Sequence, residues 1–529
     1  MYRVDQTMGI AYVRAKMAGP RSRRCKRHRL HRGVLFFLVL GAFAGCSSAP
    51  EAVRDRPIPT TGILQYDTAF RLAQSMDLSP RSAVFVRAGE SLVQGGRVEL
   101  ATEVLRYAES VLSAPGLTPD QQIRGRAASV AAWQGVANRD ETRADLVADL
   151  TAELLDQAED QDDARLQADV FRQVFVAQLS NANAGEAALR RTLDLAYLIE
   201  DDAVRAEVLV QAAETVEGQD DRIGLNPLVQ QAIATVPALE DSLLAADLSA
   251  RLARLSQVLG RDGDVATLTD RVASRAEAGL IVDPEQQIRL ERIVRSLVDT
   301  GRADRVPTIL ANVAPQRARS LAYGWLADAH GRDHPEFASA IGDAFDTAGR
   351  LTDREAQARV VASLVRTRVE ADPDWNPASE ISALLANVRL AAVPAETREA
   401  VLVDVALAYV LSGQGQQVER LRGLIATGDE YNRVYVRVAE GLAGRGLRDE
   451  AIEYLGTVDV LPPPRIGDTE LPAVRAARTW YRLGEYDRGI SAVLAGENAD
   501  VARYLVGLPP DHQINPATRG QLDRRLADS

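Results

Sequence analysis

Three histidines lie beyond residue 46: His330, His334 and His512. His330 and His334 stand four apart, a spacing that can set two imidazoles on one helical face to chelate a metal, and Asp328 and Asp333 are close by. Gly331 and Pro335 instead place the pair in a turn between helices, and no general-base glutamate falls between them. The pair therefore reads as a solvated turn, and no metal ligand is assigned. Asp156, Glu159, Asp160, Asp162 and Asp163 form an acidic cluster. A calcium loop needs oxygen ligands at alternating positions, a central glycine and a closing glutamate. Residues 160–170 lack that glycine and that glutamate, so the cluster reads as a solvated helix end, and Gly260–Asp264 fails the same test.

The chain has two cysteines, Cys25 and Cys46, and two lysines, Lys16 and Lys26. A phosphate-binding G-x-x-x-x-G-K-[ST] loop and a cysteine nucleophile are thus excluded beyond residue 46, and neither G-x-S-x-G nor H-E-x-x-H occurs there. Paired carboxylates for acid–base work stay open, because Asp and Glu are frequent throughout and order along the chain does not pair them. No catalytic residue and no cofactor site is assigned. Residues 1–45 hold ten Lys/Arg and one acid, which leaves 52 basic and 73 acidic residues beyond Gly45, a net of −21. So acidic a body repels phosphate backbones and argues against nucleic-acid binding.

The elements that carry these residues are helical. With 529 residues, aromatic content of 5% and abundant Ala, Leu, Val and Arg, the chain suits stacked helices better than a β-sandwich. Two stretches carry the pattern most openly, Val434–Pro463 and Ala473–Gly496. In the first, Val434, Val438, Gly441 and Leu442 fall at helical spacing and give a small, apolar face. Gly446 ends that helix, since glycine tolerates the left-handed exit. Asp449 and Glu450 suit the dipole at the start of the next helix, Ala451, Ile452 and Leu455 carry its apolar stripe, and Pro462 to Pro464 stop it.

These stretches resemble the tetratricopeptide repeat, a helical hairpin of about 34 residues with small residues where its helices cross. Gly446, Asp449 to Ile452 and Pro463 fall where that family puts its turn glycine, second-helix start and closing proline. In the second stretch the matching residues are Tyr481, Gly484, Tyr486, Asp487 and Ile490, and Gly489 departs, standing where the family prefers alanine. Looser pairs run through the rest of the body, beginning with Ser82–Gln94 and Val98–Leu112 around Gly95 and Gly96, with Ala101 at the crossing position. Turn glycines Gly260, Gly301, Gly331, Gly413, Gly446 and Gly484 are spaced 41, 30, 82, 33 and 38 apart, the 82 holding one extra pair that turns at Asp372–Pro377. Pro307 inside a helical stretch marks a late start or a kink. The reading is an all-α solenoid of ten to eleven stacked hairpins in one continuous superhelix over residues 63–504, with 505–529 as a polar cap. Trp133, Trp325, Trp480, Tyr481 and Tyr486 fall at helical positions and Trp375 and Tyr431 in loops, and most of these aromatics are expected to pack between repeats.

Residues 1–45 read as a secretion signal. Arg21 to Arg32 form a basic region, Val34 to Leu40 an apolar run, and the stretch from Gly33 to Gly45 is too short to span a bilayer. Met8 and Met17 are alternative starts. Arg23-Arg24 lacks the following apolar residues of a twin-arginine signal, which favours the general secretory route. Phe43-Ala44-Gly45-Cys46 resembles the bacterial lipobox, although Phe43 stands where Leu is usual. That resemblance implies cleavage before Cys46, lipidation of Cys46, and, with Ser47 rather than aspartate next, sorting to the outer membrane facing the periplasm. Residues 46–62, with Pro50, Pro57 and Pro59, form a tether. The expected function is a lipid-anchored cell-envelope scaffold that binds a protein or peptide partner. A cell-wall-acting enzyme using a carboxylate of raised pKa in the helical concavity is the alternative.

Overall fold

The computed structural model describes residues 57–528 apart from 160, 162, 180–195, 197, 198, 200, 219–221, 388–392, 426, 459, 460 and 463–469. All described residues belong to the compact unit Ala49–Ser529. The expected signal segment, Cys46 and most of the tether lie outside the described residues, as does Pro463. No helix among the described residues is long and apolar enough to cross a membrane.

The chain is an all-α helical repeat. It opens with α1 (Leu64–Gln74), which the sequence pattern did not single out. The hairpins follow: α2 (Leu78–Gln94) with α3 (Val98–Leu112), α4 (Pro119–Ala137) with α5 (Ala144–Glu159), then α6 (Ala164–Leu179). Next come α7 (Asp202–Gly218) with α8 (Arg222–Thr235), α9 (Ser242–Val258) with α10 (Asp262–Glu277), and α11 (Gln287–Asp299) with α12 (Val306–Ala311). Then come α13 (Gln316–His330) with α14 (Phe337–Gly349), α15 (Arg354–Ala371) with α16 (Ala378–Asn387), and α17 (Ala395–Leu411) with α18 (Val418–Leu421). The last are α19 (Gly428–Ala443) with α20 (Arg448–Gly456), α21 (Pro472–Arg482) with α22 (Tyr486–Val493), α23 (Asn498–Val506) and α24 (Pro516–Ala527). Two short strands, β1 (Leu280–Ile281) and β2 (Val313–Ala314), pair in parallel where α10 and α12 end. Pro307 sits in the first turn of α12, where its missing N–H costs nothing, so it marks a late start.

Local chemistry sets the helix ends. Asp241 and Asp353 cap α9 and α15 by accepting backbone N–H bonds, and Thr118 and Gln121 form a capping box at α4. At the hairpin turns one device recurs. Gly96, Gly260, Gly301, Gly413, Gly446 and Gly484 all have φ between 69° and 76°. In each case the next residue's N–H reaches back to the carbonyl five positions before that glycine's own successor, as in Leu447 to Leu442 at 3.1 Å and Glu485 to Trp480 at 2.9 Å. This is the left-handed glycine stop that satisfies the last carbonyls of a helix.

The first helices of the hairpins form one continuous layer. From α2 through α4, α6, α7, α9, α11, α13, α15, α17, α19, α21 and α23, each packs against the next. The second helices pack mainly on the first helices of their own and the following hairpin. The more closely spaced layer lies on the inside of the curvature, so the first helices form the inner wall.

The array does not end as an open superhelix. α23 packs against α2, which closes the inner layer into a ring of twelve helices. α23 has no second helix of its own from the C-terminal side. Its partner is α1, from the other end of the chain, while α24 lies across α22 and α1. The Tyr66 hydroxyl donates to Leu508 O (3.4 Å) and is hydrogen-bonded with the Ser91 hydroxyl (2.9 Å), and Gln65 Nε2 donates to Pro509 O (3.0 Å). One buried apolar cluster crosses the seam and joins the first hairpins to the last ones, including Tyr66, Phe70, Phe85, Val501, Leu505 and Leu508. The expected polar cap at 505–529 is thus a seam: Leu505, Val506, Leu508 and Leu522 are all buried. The physical reason is that α1 has an apolar face, Tyr66, Ala69, Phe70 and Ala73, and that α1 is covered by α23 and α2, with α24 across it.

Candidate functional site: the inner wall and the seam

Adjacent first helices are laced together by arginine–carboxylate pairs. Glu214 and Glu217 of α7 each take a two-point contact from Arg251 and Arg254 of α9, the shortest at 2.5 and 2.6 Å. Asp247 of α9 takes the same from Arg292 of α11, at 2.5 and 3.0 Å. Arg295 reaches Asp328 of α13 (2.7 Å), Arg366 of α15 reaches Asp404 of α17 (2.6 Å), and Arg398 reaches Glu430 of α19 (2.5 and 3.0 Å). Glu440 of α19 receives both Arg475 (3.2 Å) and Arg478 (2.6 Å) of α21. Arg332, just past α13, bridges to Asp372 and Asp374 past α15. Within α9 the stripe Asp247, Arg251, Arg254 keeps helical spacing on a face distinct from the Leu248–Leu252–Leu255 core stripe.

Burial shapes the electrostatics of the ladder. Desolvation pushes the Asp247 and Asp404 carboxyls above the usual range, against the opposing pull of Arg292 and Arg251 for the first and Arg366 and Arg437 for the second. Glu90 and Glu109 are also raised by burial, opposed by Arg87 and by a hydrogen bond from Ser129, respectively. The enzyme alternative called for a carboxylate raised in an apolar pocket. The raised carboxylates here each face an arginine or hydroxyl, which is the environment of a structural ion pair.

The residues singled out from the sequence fall as follows. Gly96, Gly301, Gly413, Gly446 and Gly484 are the left-handed turn glycines described above. Ala451 is fully buried at the start of α20. Tyr486 stacks obliquely on Tyr481 (ring centroids 5.3 Å) and edge-on to His512 (5.0 Å), while Tyr481 donates to Gly507 O at 2.9 Å, so both tyrosines belong to the seam. Among the other aromatics, Trp133 is 1% exposed, Trp375 lies under Arg368 (4.0 Å), and Trp480 under Arg488 (4.9 Å). The histidine turn is exposed at residues 332–336, His334 and Glu336 included, while the His330 side chain at the end of α13 is covered and its ring stacks on that of His334.

Gly489 has a reason to depart from alanine. A Cβ there would come within 1.8 Å of the Tyr504 hydroxyl and 3.2 Å of Ala477 O. Tyr504 is thereby able to lie across α22 and donate to Tyr486 O at 3.3 Å. Gly489→Ala is expected to cost about 1–3 kcal/mol through overpacking. The check is chemical denaturation in wild-type and Tyr504→Ala backgrounds: the cost should shrink when Tyr504 is absent, and equal costs in both would refute the assignment.

The ladder was missed at the sequence level, yet it leaves a trace. Its partners sit one repeat apart: 37 for Glu214–Arg251 and Glu217–Arg254, 38 for Arg366–Asp404, 35 for Glu440–Arg475, 45 for Asp247–Arg292. Searching for opposite charges at the repeat period would have found it.

No protein-family model matches the chain, and no curated protein matches it. Among solved structures, a "circular tandem repeat protein with novel repeat topology and enhanced subunit contact surfaces" aligns over 85% of this chain and 97% of its own, at 15% identity and a TM-score of 0.19. A score that low carries no argument, and the ring rests on the contacts between α23, α1 and α2. The class defined here is a helical repeat with a scaffold-like build, the kind of fold that serves protein interaction.

Proposed function

We propose that the protein is a lipid-anchored scaffold of the bacterial cell envelope, similar to tetratricopeptide-repeat lipoproteins, which holds a protein or peptide partner on the inner wall of its ring. The observation that carries this reading is the closed first-helix layer with its ladder of ion pairs. Side chains already paired to one another are pre-organised and lose little freedom on binding, so the wall is a stiff template. The acidic body favours a basic partner and an affinity that falls with salt. Cys46 supplies the lipid anchor in the outer membrane, and the tether lets the ring stand off the bilayer in the periplasm.

The test places a photo-crosslinking amino acid in cells at Arg359, on the inner helix α15 and 47% exposed, or at Asp270, on the outer helix α10 and 68% exposed. Each is made with Cys46 intact and as Cys46→Ala. Expected are discrete crosslinks from position 359 and not 270, and loss of the Cys46→Ala chain from the membrane fraction. Crosslinks from 270 alone would reject the inner wall. No defined crosslink from either would reject the scaffold, and a Cys46→Ala chain that stays on membranes would reject the lipid anchor.

A further inference from the structure

At Gly331 the recurring turn is replaced by another. Its φ of 71° matches the other turn glycines, but its ψ is 161°, and the chain leaves α13 into the loop 331–336 before α14 begins. His334 N–H donates to Gly331 O (3.2 Å) and Phe337 N–H to His334 O (3.0 Å), which curls the loop back. Glu336 N–H donates to His334 Nδ1 at 3.2 Å. The His334 ring is thereby laid on His330, with centroids 4.0 Å apart and planes within 8°. The His330 side chain is 2% exposed, and Glu336 Oε2 stands 3.6 Å from its Nε2.

That buried Nε2 has no hydrogen-bond partner. A separation of 3.6 Å is too long for a hydrogen bond, and a buried polar atom without a protein partner has room for a water or an ion. One ligand atom from each of His330, His334 and Glu336 lies within 4.8 Å of the other two. An ion held at about 2.0–2.2 Å by each needs ligand atoms closer than that and both imidazole lone pairs aimed at it, so the exposed His334 ring must turn out of its stack on His330 to close the site. The two side chains that must move are the exposed ones, while His330 is fixed. The neighbouring cation does not intrude, because Arg332 is turned onto Asp372 and Asp374.

We propose that His330, His334 and Glu336 form a binding site for a divalent transition metal of the zinc class. Two imidazoles and one carboxylate are borderline ligands that suit zinc, and three protein ligands leave a fourth tetrahedral position open. His330 offers Nε2 from the end of α13, and Glu336 offers a carboxylate oxygen from the residue just before α14. His334 exchanges its backbone hydrogen bond for the metal or turns its other nitrogen inward. The bound ion ties the end of one inner helix to the start of its outer partner.

The test uses the untagged full chain, stripped with a chelator and titrated with zinc chloride alone, with bound zinc measured after dialysis. His334→Ala and Glu336→Gln change exposed side chains, so both variants should fold, and their unliganded melting temperatures verify that. The expected result is one zinc per chain in the wild type and in His512→Ala. In His334→Ala and Glu336→Gln the dissociation constant should rise at least tenfold, since loss even of a supporting group outside the ligand set costs about 10–100-fold. Cobalt(II) should give a tetrahedral absorption spectrum in the wild type that His334→Ala abolishes. Wild-type binding no tighter than that of His334→Ala would overturn the proposal, and so would loss of zinc in His512→Ala instead.

Discussion

Replacing Tyr66 with alanine should expose backbone amides at the opposite end of the chain. Tyr66 is fully buried, and its hydroxyl joins Ser91 of α2 to Leu508 just past α23. Truncating a buried aromatic costs about 3–5 kcal/mol, through lost burial and the cavity left behind. In an open solenoid that loss would stay with α1 and α2, because each repeat feels its neighbours alone. In the ring, α23 loses its hairpin partner. Hydrogen exchange followed by mass spectrometry is the direct readout: α23, Gly507 and Leu508 should lose protection together with α1. Leu209→Ala, a comparably buried change in α7, should loosen α7 and its neighbours and leave α23 unchanged. If Tyr66→Ala leaves α23 as protected as before, the ring is not closed in solution.

Arg398→Ala is the second change expected to be severe. The Arg398 and Glu430 side chains are 10% and 2% exposed, and they meet through two hydrogen bonds. The first cause of the raised Arg398 pKa is that hydrogen bonding, which outweighs its burial. Removing the guanidinium takes from Glu430 its two-point partner in the interior, and breaking a buried pair from one side typically costs about 3–5 kcal/mol. An apolar pair of similar volume removes both charges together, so Arg398→Met with Glu430→Leu should recover most of the loss. Equilibrium denaturation of the single and double variants checks both statements. A single variant within about 0.5 kcal/mol of wild type would show that this pair is not a structural clamp.

Much of the fold was legible because helices announce themselves locally. Glycine at a left-handed exit, an acid in the next first turn and apolar residues at helical spacing marked hairpins such as α19–α20 and α21–α22 without any tertiary information. Ring closure could not be read in that way. Nothing local to Leu64–Gln74 distinguishes an apolar face that waits for α23 from one that covers the next repeat. The seam is a relation between residues more than 430 positions apart, such as Tyr66 and Leu508, |i−j| 442. The histidine turn was legible in part for a related reason. Spacing and flanking residues placed His330 and His334 in an exposed turn, but the loop's own hydrogen bonds decide that the His330 side chain is covered.

The seam also fixes an order of events. In an open array each hairpin can settle as soon as its neighbour is complete, so structure can grow behind the ribosome. Here α1, the earliest helix of the described residues, is completed by α23, close to the last. Until the chain is whole, the Tyr66–Phe70 face has α2 on one side and no cover on the other. Contacts of such long sequence separation slow the final step, since the whole intervening chain must be in place before its two ends can meet. A helix made early is among the last to be secured.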